Sequence, residues 1–425
     1  MTQSDSQAPS ATDLIYDWNT HNQRPPKKPV ELNDETLRDG LQSPSITAPT
    51  IDEKIEILHL MHELGIERAN IGLPGAGPMV AADVERLATE IESAGLKIRP
   101  NCAARTVIQD IRPIAEISQK TGVRIEAATF LGSSPIRRYT EEWDLDRLLR
   151  HTEESVRFAV ENDLDAMYVT EDTTRADPET VTKLYKTAIE CGARRIVVCD
   201  TVGHATPVGV RAIIRFALKL VEATGEDVKV DWHGHNDRGL GLTNALTAIV
   251  AGADSIHGCG LGIGERCGNT SMDQLLVNLK LLGWREGNLT GLCRYAGAVS
   301  SYCRVPIPSN YPVVGTDAFE TGTGVHAAAV IKAYKKGDEW LANRVYSGVP
   351  ADEFGLEQKI LVGPMSGRSN VVWVLDKLGL PGTEETVDRV FNAAKASRRN
   401  LTDEEIRYVA EHREYIDEWH HFEDA

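Results

Sequence analysis

Val230-Asp231-Trp232-His233-Gly234-His235-Asn236-Asp237 places two histidines at i and i+2, just after a strand-like run from Val228 to Asp231. In a strand, i and i+2 side chains point to the same side, so both imidazoles can reach one metal ion. A His-x-His pair also serves as an ordinary polar surface pair, and it gains weight only if a third ligand arrives from elsewhere. Asp39, in Asp34-Glu35-Thr36-Leu37-Arg38-Asp39-Gly40, is that third candidate. The organisation of the chain around these two stretches explains how they can meet.

From about residue 30 to 285, short β-rich runs alternate with amphipathic helical patterns. Strands are expected at Val30–Asn33, Arg68–Leu73, Lys97–Cys102, Arg124–Phe130, Asp165–Val169, Arg195–Cys199, Val228–Trp232 and Asp254–Gly258. Helical patterns between them include Ile51–Leu64, Val80–Ala94, Leu145–Glu161, Pro178–Cys191, Pro207–Thr224, Leu240–Ala251 and Met272–Leu282. Eight strand–helix repeats in roughly 250 residues fit an α/β chain folded as a (β/α)8 TIM barrel better than an open doubly wound sheet. The polar clusters then fall in one place. Asp39 follows strand one, Arg137 and Arg138 strand four, Glu171 strand five, and Thr201 strand six. His233 and His235 follow strand seven, and Glu265 and Asn269 follow strand eight. All lie at C-terminal strand ends, where barrel enzymes build their sites. Strands seven, eight and one are neighbours in a closed barrel, so His233, His235, Asn269 and Asp39 can converge.

Beyond residue 286 the alternation stops. A proline-rich connection (Pro306, Pro308, Pro312), a small-residue segment around Thr321–Val330 and a closing helical region follow. The expected organisation is a flexible polar tail over 1–28, a catalytic barrel over 29–285 and small, mainly helical accessory subdomains over 286–425.

Composition narrows the function class. A net charge of −17 argues against nucleic acid or an anionic membrane as a general partner, though local arginines can still receive an anionic substrate. The seven cysteines (102, 191, 199, 259, 267, 293 and 303) are odd in number and lack Cys-x-x-Cys spacing, which suggests reduced thiols instead of a disulfide framework. No stretch reads as a signal peptide or a membrane span, so a cytoplasmic protein is expected.

One carboxylate, two imidazoles and a nearby amide suit a divalent ion such as Zn2+, Mn2+ or Mg2+. Such a set leaves positions open for substrate oxygens, as a Lewis-acid site requires. At this point the residues reach a known family. Asp34 to Gln42 (Asp-Glu-Thr-Leu-Arg-Asp-Gly-Leu-Gln) resembles the opening motif of the DRE-TIM metallolyases. Glu171-Asp172-Thr173-Thr174-Arg175, Asp200-Thr201-Val202-Gly203 and His233 to Asp237 look like the same superfamily. Gly264-Glu265-Arg266-Cys267-Gly268-Asn269 is similar to the form in isopropylmalate and homocitrate synthases, and Gly363 to Asn370 continues the likeness.

The resemblance implies a Claisen-type condensation of acetyl-CoA, or a related acyl-CoA, with a 2-oxo acid, followed by thioester hydrolysis. It implies a metal on Asp39, His233 and His235 with Asn269 beside them, Arg38 stabilising the developing alkoxide, and Thr201 and Gln42 contacting the substrate. It further implies a base at His326, helped by Glu171 and Tyr346 and reaching across from a second subunit, hence a domain-swapped homodimer. Arg38 has a plainer reading as a partner of Asp34, and Thr201 as a cap of the following helix.

Two departures stand out. Synthases of this family commonly carry a glutamate at the end of strand two, where this chain has Asn70. After strand four, Arg137 and Arg138 stand where isopropylmalate synthases place histidine, and homocitrate synthases use an arginine in this loop for a second carboxylate. A homocitrate-, citrate- or phosphonomethylmalate-type synthase acting on a doubly anionic 2-oxo acid is therefore an alternative. Further rivals are a lyase of the hydroxymethylglutaryl-CoA type, which uses a cysteine after strand eight (compare Cys259 and Cys267), a biotin-dependent carboxyltransferase and a catalytically silent metabolite-binding barrel. A regulatory domain of about a hundred residues has no counterpart in the sequence, so feedback through one is not expected.

Overall fold

A computed structural model describes residues 14–21 and 25–412. Residues 1–13 and 22–24, within the stretch read as a tail, and residues 413–425 lie outside the described residues.

Eight parallel strands close into a barrel: β1 (Glu31–Asp34), β2 (Arg68–Asn70), β3 (Arg99–Arg105), β4 (Glu126–Gly132), β5 (Asp165–Glu171), β6 (Arg195–Asp200), β7 (Lys229–Gly234) and β8 (Ser255–Gly258). Closure is made by β1, which pairs with β2 through Asn33 and Arg68 and with β8 from Glu31 opposite Ser255 to Asp34 opposite Gly258. The strands are buried on both faces, as β6 (Arg-Ile-Val-Val-Cys-Asp) shows along its whole length. Their outward apolar side chains pack under the helices in one continuous core that includes Leu32, Ile57, Tyr168 and Trp232.

Local chemistry starts and stops the helices between strands. Thr50 opens Ile51–Glu63 with a capping box to Glu53. Proline occupies the first turn of Pro178–Glu190 and Pro207–Thr224, where its missing N–H costs nothing. The expected strands three and four sit two residues early at their starts: Lys97 and Arg124 lie outside the pairing, while Ala103, Ala104 and Arg105 continue it against β4. Ala-Ala-Arg is a poor strand sequence by propensity, and pairing of all three residues with β4 overrides that preference.

Side chains inside the barrel divide by height. At the N-terminal end a charged network fills the lumen. Arg195 donates to Asp231 at 2.6 Å and to Glu31 at 3.0 Å, and Arg68 pairs with Glu126. Toward the C-terminal end lies a small apolar cluster of Ala128, Met167, Val197 and Cys199. The loop after β8 folds back on the barrel mouth, bridging Asn269 to His235 and Ser271 to Cys259. That reversal requires glycine at 268: its φ is +81°, and a Cβ there would lie 1.8 Å from the Gly262 carbonyl oxygen.

After the barrel, helix Leu292–Cys303 joins the same core, and its Tyr295 hydroxyl donates to Asp34. A second apolar cluster is built by the helices Gly324–Lys335, Arg368–Lys377, Glu384–Ala396 and Asp403–Glu411, around Val330, Ile331, Val371, Leu375, Val390 and Ile406. Among the described residues no helix is long and apolar enough to cross a membrane.

Candidate active site

A cavity of about 260 Å3 opens at the C-terminal end of the barrel. Arg38, Asp39, Gln42, Glu171, Thr201, His233, His235 and Glu265 line it, so eight of the singled-out residues meet there from β1, β5, β6, β7 and β8.

Asp39, His233 and His235 are all buried and present ligand atoms within 4.8 Å of one another. His233 Nε2 stands 3.7 Å from Asp39 Oδ2. That is too long for a hydrogen bond and right for two atoms sharing a cation at about 2.1 Å from each. Asn269 donates to Asp39 Oδ1 at 3.2 Å and to the Ile263 carbonyl at 3.1 Å, while its own Oδ1 is buried without a partner. His235 Nδ1 is likewise buried and unpartnered. An orphaned amide oxygen and an unpartnered ring nitrogen beside a carboxylate and a second imidazole are costly in a protein alone and fit a divalent cation. Charge on His235 is disfavoured: burial first, then the neighbouring His233, lowers its pKa to about 4, leaving the neutral form a metal needs. For Asp39, burial alone would raise the carboxyl, but Arg38 and His233 hold it below its ordinary range.

Arg38 does not pair with Asp34. Its two terminal nitrogens reach Glu35 Oε1 at 2.8 Å and Asp39 Oδ2 at 3.0 Å, while Asp34 is taken by Tyr295 and the Thr36 amide. Thr201 does not cap the next helix either; Thr206 does. The Thr201 oxygen accepts the Asp172 amide at 2.8 Å, which leaves its own O–H free to donate into the cavity. Glu171 is pushed up in pKa by burial, against the pull of Arg137 and Arg38, so it can take and return a proton closer to neutral pH than an ordinary carboxylate.

Other sequence candidates lie elsewhere. Arg137 pairs with Glu141 at 3.1 Å and Arg138 donates to Thr180 Oγ1 at 3.2 Å; neither is among the lining residues, although Arg137 stands near enough to Glu171 to pull on its carboxylate. His326 and Tyr346 stack on one another with ring centres 4.1 Å apart. They too are absent from the lining, and both are exposed, beside Val325 and Met365, which are exposed by more than 70%.

Residues the motifs did not flag complete the site. Glu35 and His257 line the cavity and are almost wholly buried. His257 Nε2 lies 3.1 Å from Asp231 Oδ2, and its Nδ1 lies 3.3 Å from Glu35 Oε1. Burial alone would lower its pKa, but Glu35 and Asp231 raise it to about 9. For His257, strand alternation was the available signal, because Ser255 and His257 share a face of β8. Opposite the ionic cluster, Leu73, Ala103, Ala128, Phe130, Met167 and Val169 form an apolar wall from β3, β4, β5 and the loop after β2.

The family model described as HMGL-like matches residues 29–299. Homocitrate synthase AksA of Methanopyrus kandleri is 33% identical over 385 residues, covering 89% of this chain and 91% of that one. The 2-isopropylmalate synthase of Sulfolobus acidocaldarius is 33% identical over 356 residues, covering 83% and 86%. A probable 2-isopropylmalate synthase of Methanopyrus kandleri is 32% identical, covering 86% and 69%. Among solved structures, an HMG-CoA lyase of Bacillus subtilis matches with a TM-score of 0.55 at 21% identity, over 68% of this chain and 98% of that one, a likeness of fold.

Proposed function

The chain belongs to the HMGL-like family, and on that premise we propose that it condenses acetyl-CoA with a 2-oxo acid bearing an apolar side chain, as a 2-isopropylmalate synthase-like enzyme. The observation that carries the substrate choice is the make-up of the cavity. Among the described lining residues Arg38 is the one guanidinium, and it is already held by Glu35 and Asp39; four carboxylates (Glu35, Asp39, Glu171 and Glu265) share the lining, and Arg137, behind Glu171, is paired with Glu141. A second anionic group on the substrate would meet either these carboxylates or the apolar wall, and both disfavour it. The relatives include homocitrate and 2-isopropylmalate synthases, and this lining favours the latter chemistry.

Asp39, His233 and His235 would hold the divalent metal (Mg2+, Mn2+ or Zn2+), with Asn269 alongside. When bound, such an ion supplies Lewis-acid polarisation of a keto group. Thr201 donates its free O–H to the substrate carboxylate, and Gln42 borders the same space. The partner subunit's His326, with the partner's Tyr346 stacked on it, removes a proton from the acetyl methyl group. The resulting carbanion attacks the keto carbon, a C–C bond forms, and the carbonyl electrons move onto oxygen facing Arg38. Water then attacks the thioester, the C–S bond breaks and CoA leaves as the thiol. The exposure of the His326–Tyr346 pair in one chain supports a homodimer in which it is covered by the other copy.

A lyase is disfavoured because Cys259 is fully buried with its thiol pKa raised by burial, and neither Cys259 nor Cys267 lines the cavity. A test of the proposal is thiol release from acetyl-CoA and 2-oxoisovalerate by chelator-stripped protein, before and after Mn2+ is returned. The expected result is no release until Mn2+ is added, with a 2-alkylmalate as product. Equal rates with and without metal would refute it.

A further inference from the structure

Glu35 touches both working parts of the polar centre. It is 3% exposed and sits at the turn that follows β1. Its Oε1 is 2.8 Å from the Arg38 guanidinium and 3.3 Å from His257 Nδ1, and its Oε2 is 2.8 Å from His233 Nδ1. His257 is itself anchored through Asp231 to Arg195, so the carboxylate is held from behind by a buried ionic chain.

A carboxylate 2.8 Å from His233 Nδ1 favours the ring proton on that nitrogen by its charge, though the contact lies off the line of a hydrogen bond, and so leaves the Nε2 lone pair to the Asp39 side, as a metal ligand requires. The same carboxylate fixes one arm of Arg38 while Asp39 fixes the other. The amide of Asn70 lies between them. In one orientation its nitrogen donates to Glu35 Oε1 at 3.4 Å, and in the other its oxygen accepts from Arg38 Nε at 3.2 Å. Being neutral, Asn70 supplies no charge to either partner.

We propose that Glu35 is a positioning residue for the whole centre, one oxygen orienting the Arg38 guanidinium and the other setting His233 as a nitrogen donor. Glu35, His233 and His257 also lie close enough to surround a second ion. His233 would then have to serve two ions at once, however, one through each ring nitrogen. One ion per chain follows.

The test separates the two tasks. Metal-stripped wild type, Glu35→Gln and Glu35→Gln/Asn70→Glu are titrated with Mn2+ by calorimetry, and kcat is measured at saturating Mn2+. The expected results are one Mn2+ per wild-type chain and about 10- to 100-fold weaker binding in Glu35→Gln. The double variant, which returns a carboxylate beside Arg38 but not beside His233, should regain kcat while its Mn2+ binding stays weak. Wild-type Mn2+ affinity in Glu35→Gln, or two ions per wild-type chain, would overturn the proposal. So would a double variant with kcat no better than Glu35→Gln. Should Glu35→Gln not fold, Glu35→Asp takes its place: weakened Mn2+ binding is expected, and undiminished binding overturns the idea. The kcat comparison rests on the proposed condensation and the Mn2+ comparison does not, so the two readings fail separately.

Discussion

Across one cavity, the side made by β1, β7 and β8 is ionic and tightly interlocked, whereas the side made by β3, β4, β5 and the loop after β2 is apolar apart from Glu171 at the end of β5. On the ionic side nearly every group answers to two others: Arg38 to Glu35 and Asp39, Glu35 to His233 and His257, His257 to Asp231. On the apolar side, Ala103, Ala128 and Val169 have only volume to offer. Chemistry that must hold a cation and a developing negative charge leaves few residue types to choose from. Choosing among 2-oxo acids is a matter of shape, and many side-chain sets can provide it.

The comparison can be broken most severely on its ionic side. His235→Ala should lower thiol release by at least about 10^3-fold, because it removes one of three metal donors. Metal content by mass spectrometry should fall in parallel if the three residues are the donors proposed above, and a metal-free variant that retained its rate would contradict that assignment. His326→Ala is expected to cost about 10^2- to 10^4-fold in kcat as loss of the proposed general base, with little change in Mn2+ content. Mixing it with an inactive His235→Ala chain should restore some activity through hybrid dimers; no restoration at any ratio would argue against a base supplied by the partner.

On the apolar side, Ala128→Leu should narrow the wall and lower kcat/KM for a branched 2-oxo acid by about 10- to 100-fold, with a smaller loss for pyruvate. A uniform loss for both would mean that the wall does not contact the side chain. A milder effect concerns stability. The folded pKa of His257, about 9, lies above the usual 6.5, so its contribution is complete below pH 6.5 and is lost as pH rises through about 9. Urea unfolding of metal-stripped protein should show stability falling by about 1–3 kcal/mol across that window, and His257→Gln should flatten the fall. Smallest of all, replacing both Arg137 and Arg138 with Ala should change KM for an apolar 2-oxo acid by less than about threefold, since Arg137 sits in an exposed ion pair and Arg138 in a half-buried hydrogen bond, both off the lining.

The ionic side was largely readable from the chain. His233 and His235 declare themselves by strand spacing, Asp39 by the position of its motif after β1, and Asn269 by a loop that follows β8. Glu35 escaped although it stands inside the same motif, because its direction depends on how the chain turns beyond Asp34. Only the folded structure shows Asp34 going to Tyr295 and Glu35 into the cavity. His257 reads as one more strand residue until Asp231 is seen beside it. The apolar wall is the least legible part: Ala103, Ala128 and Met167 look like any barrel core residue, and nothing local marks which ones border a cavity. Arg137 and Arg138 show the converse, since their sequence position suggests the substrate while Glu141 and Thr180 occupy them.

The most direct test of the account is the ratio of kcat/KM for 2-oxoisovalerate to that for 2-oxoglutarate, with acetyl-CoA and Mn2+ held constant. A ratio well above one, on the order of 10^2 or more, is predicted from a wall without a free cation. A ratio below one would contradict it and place a basic group in the pocket.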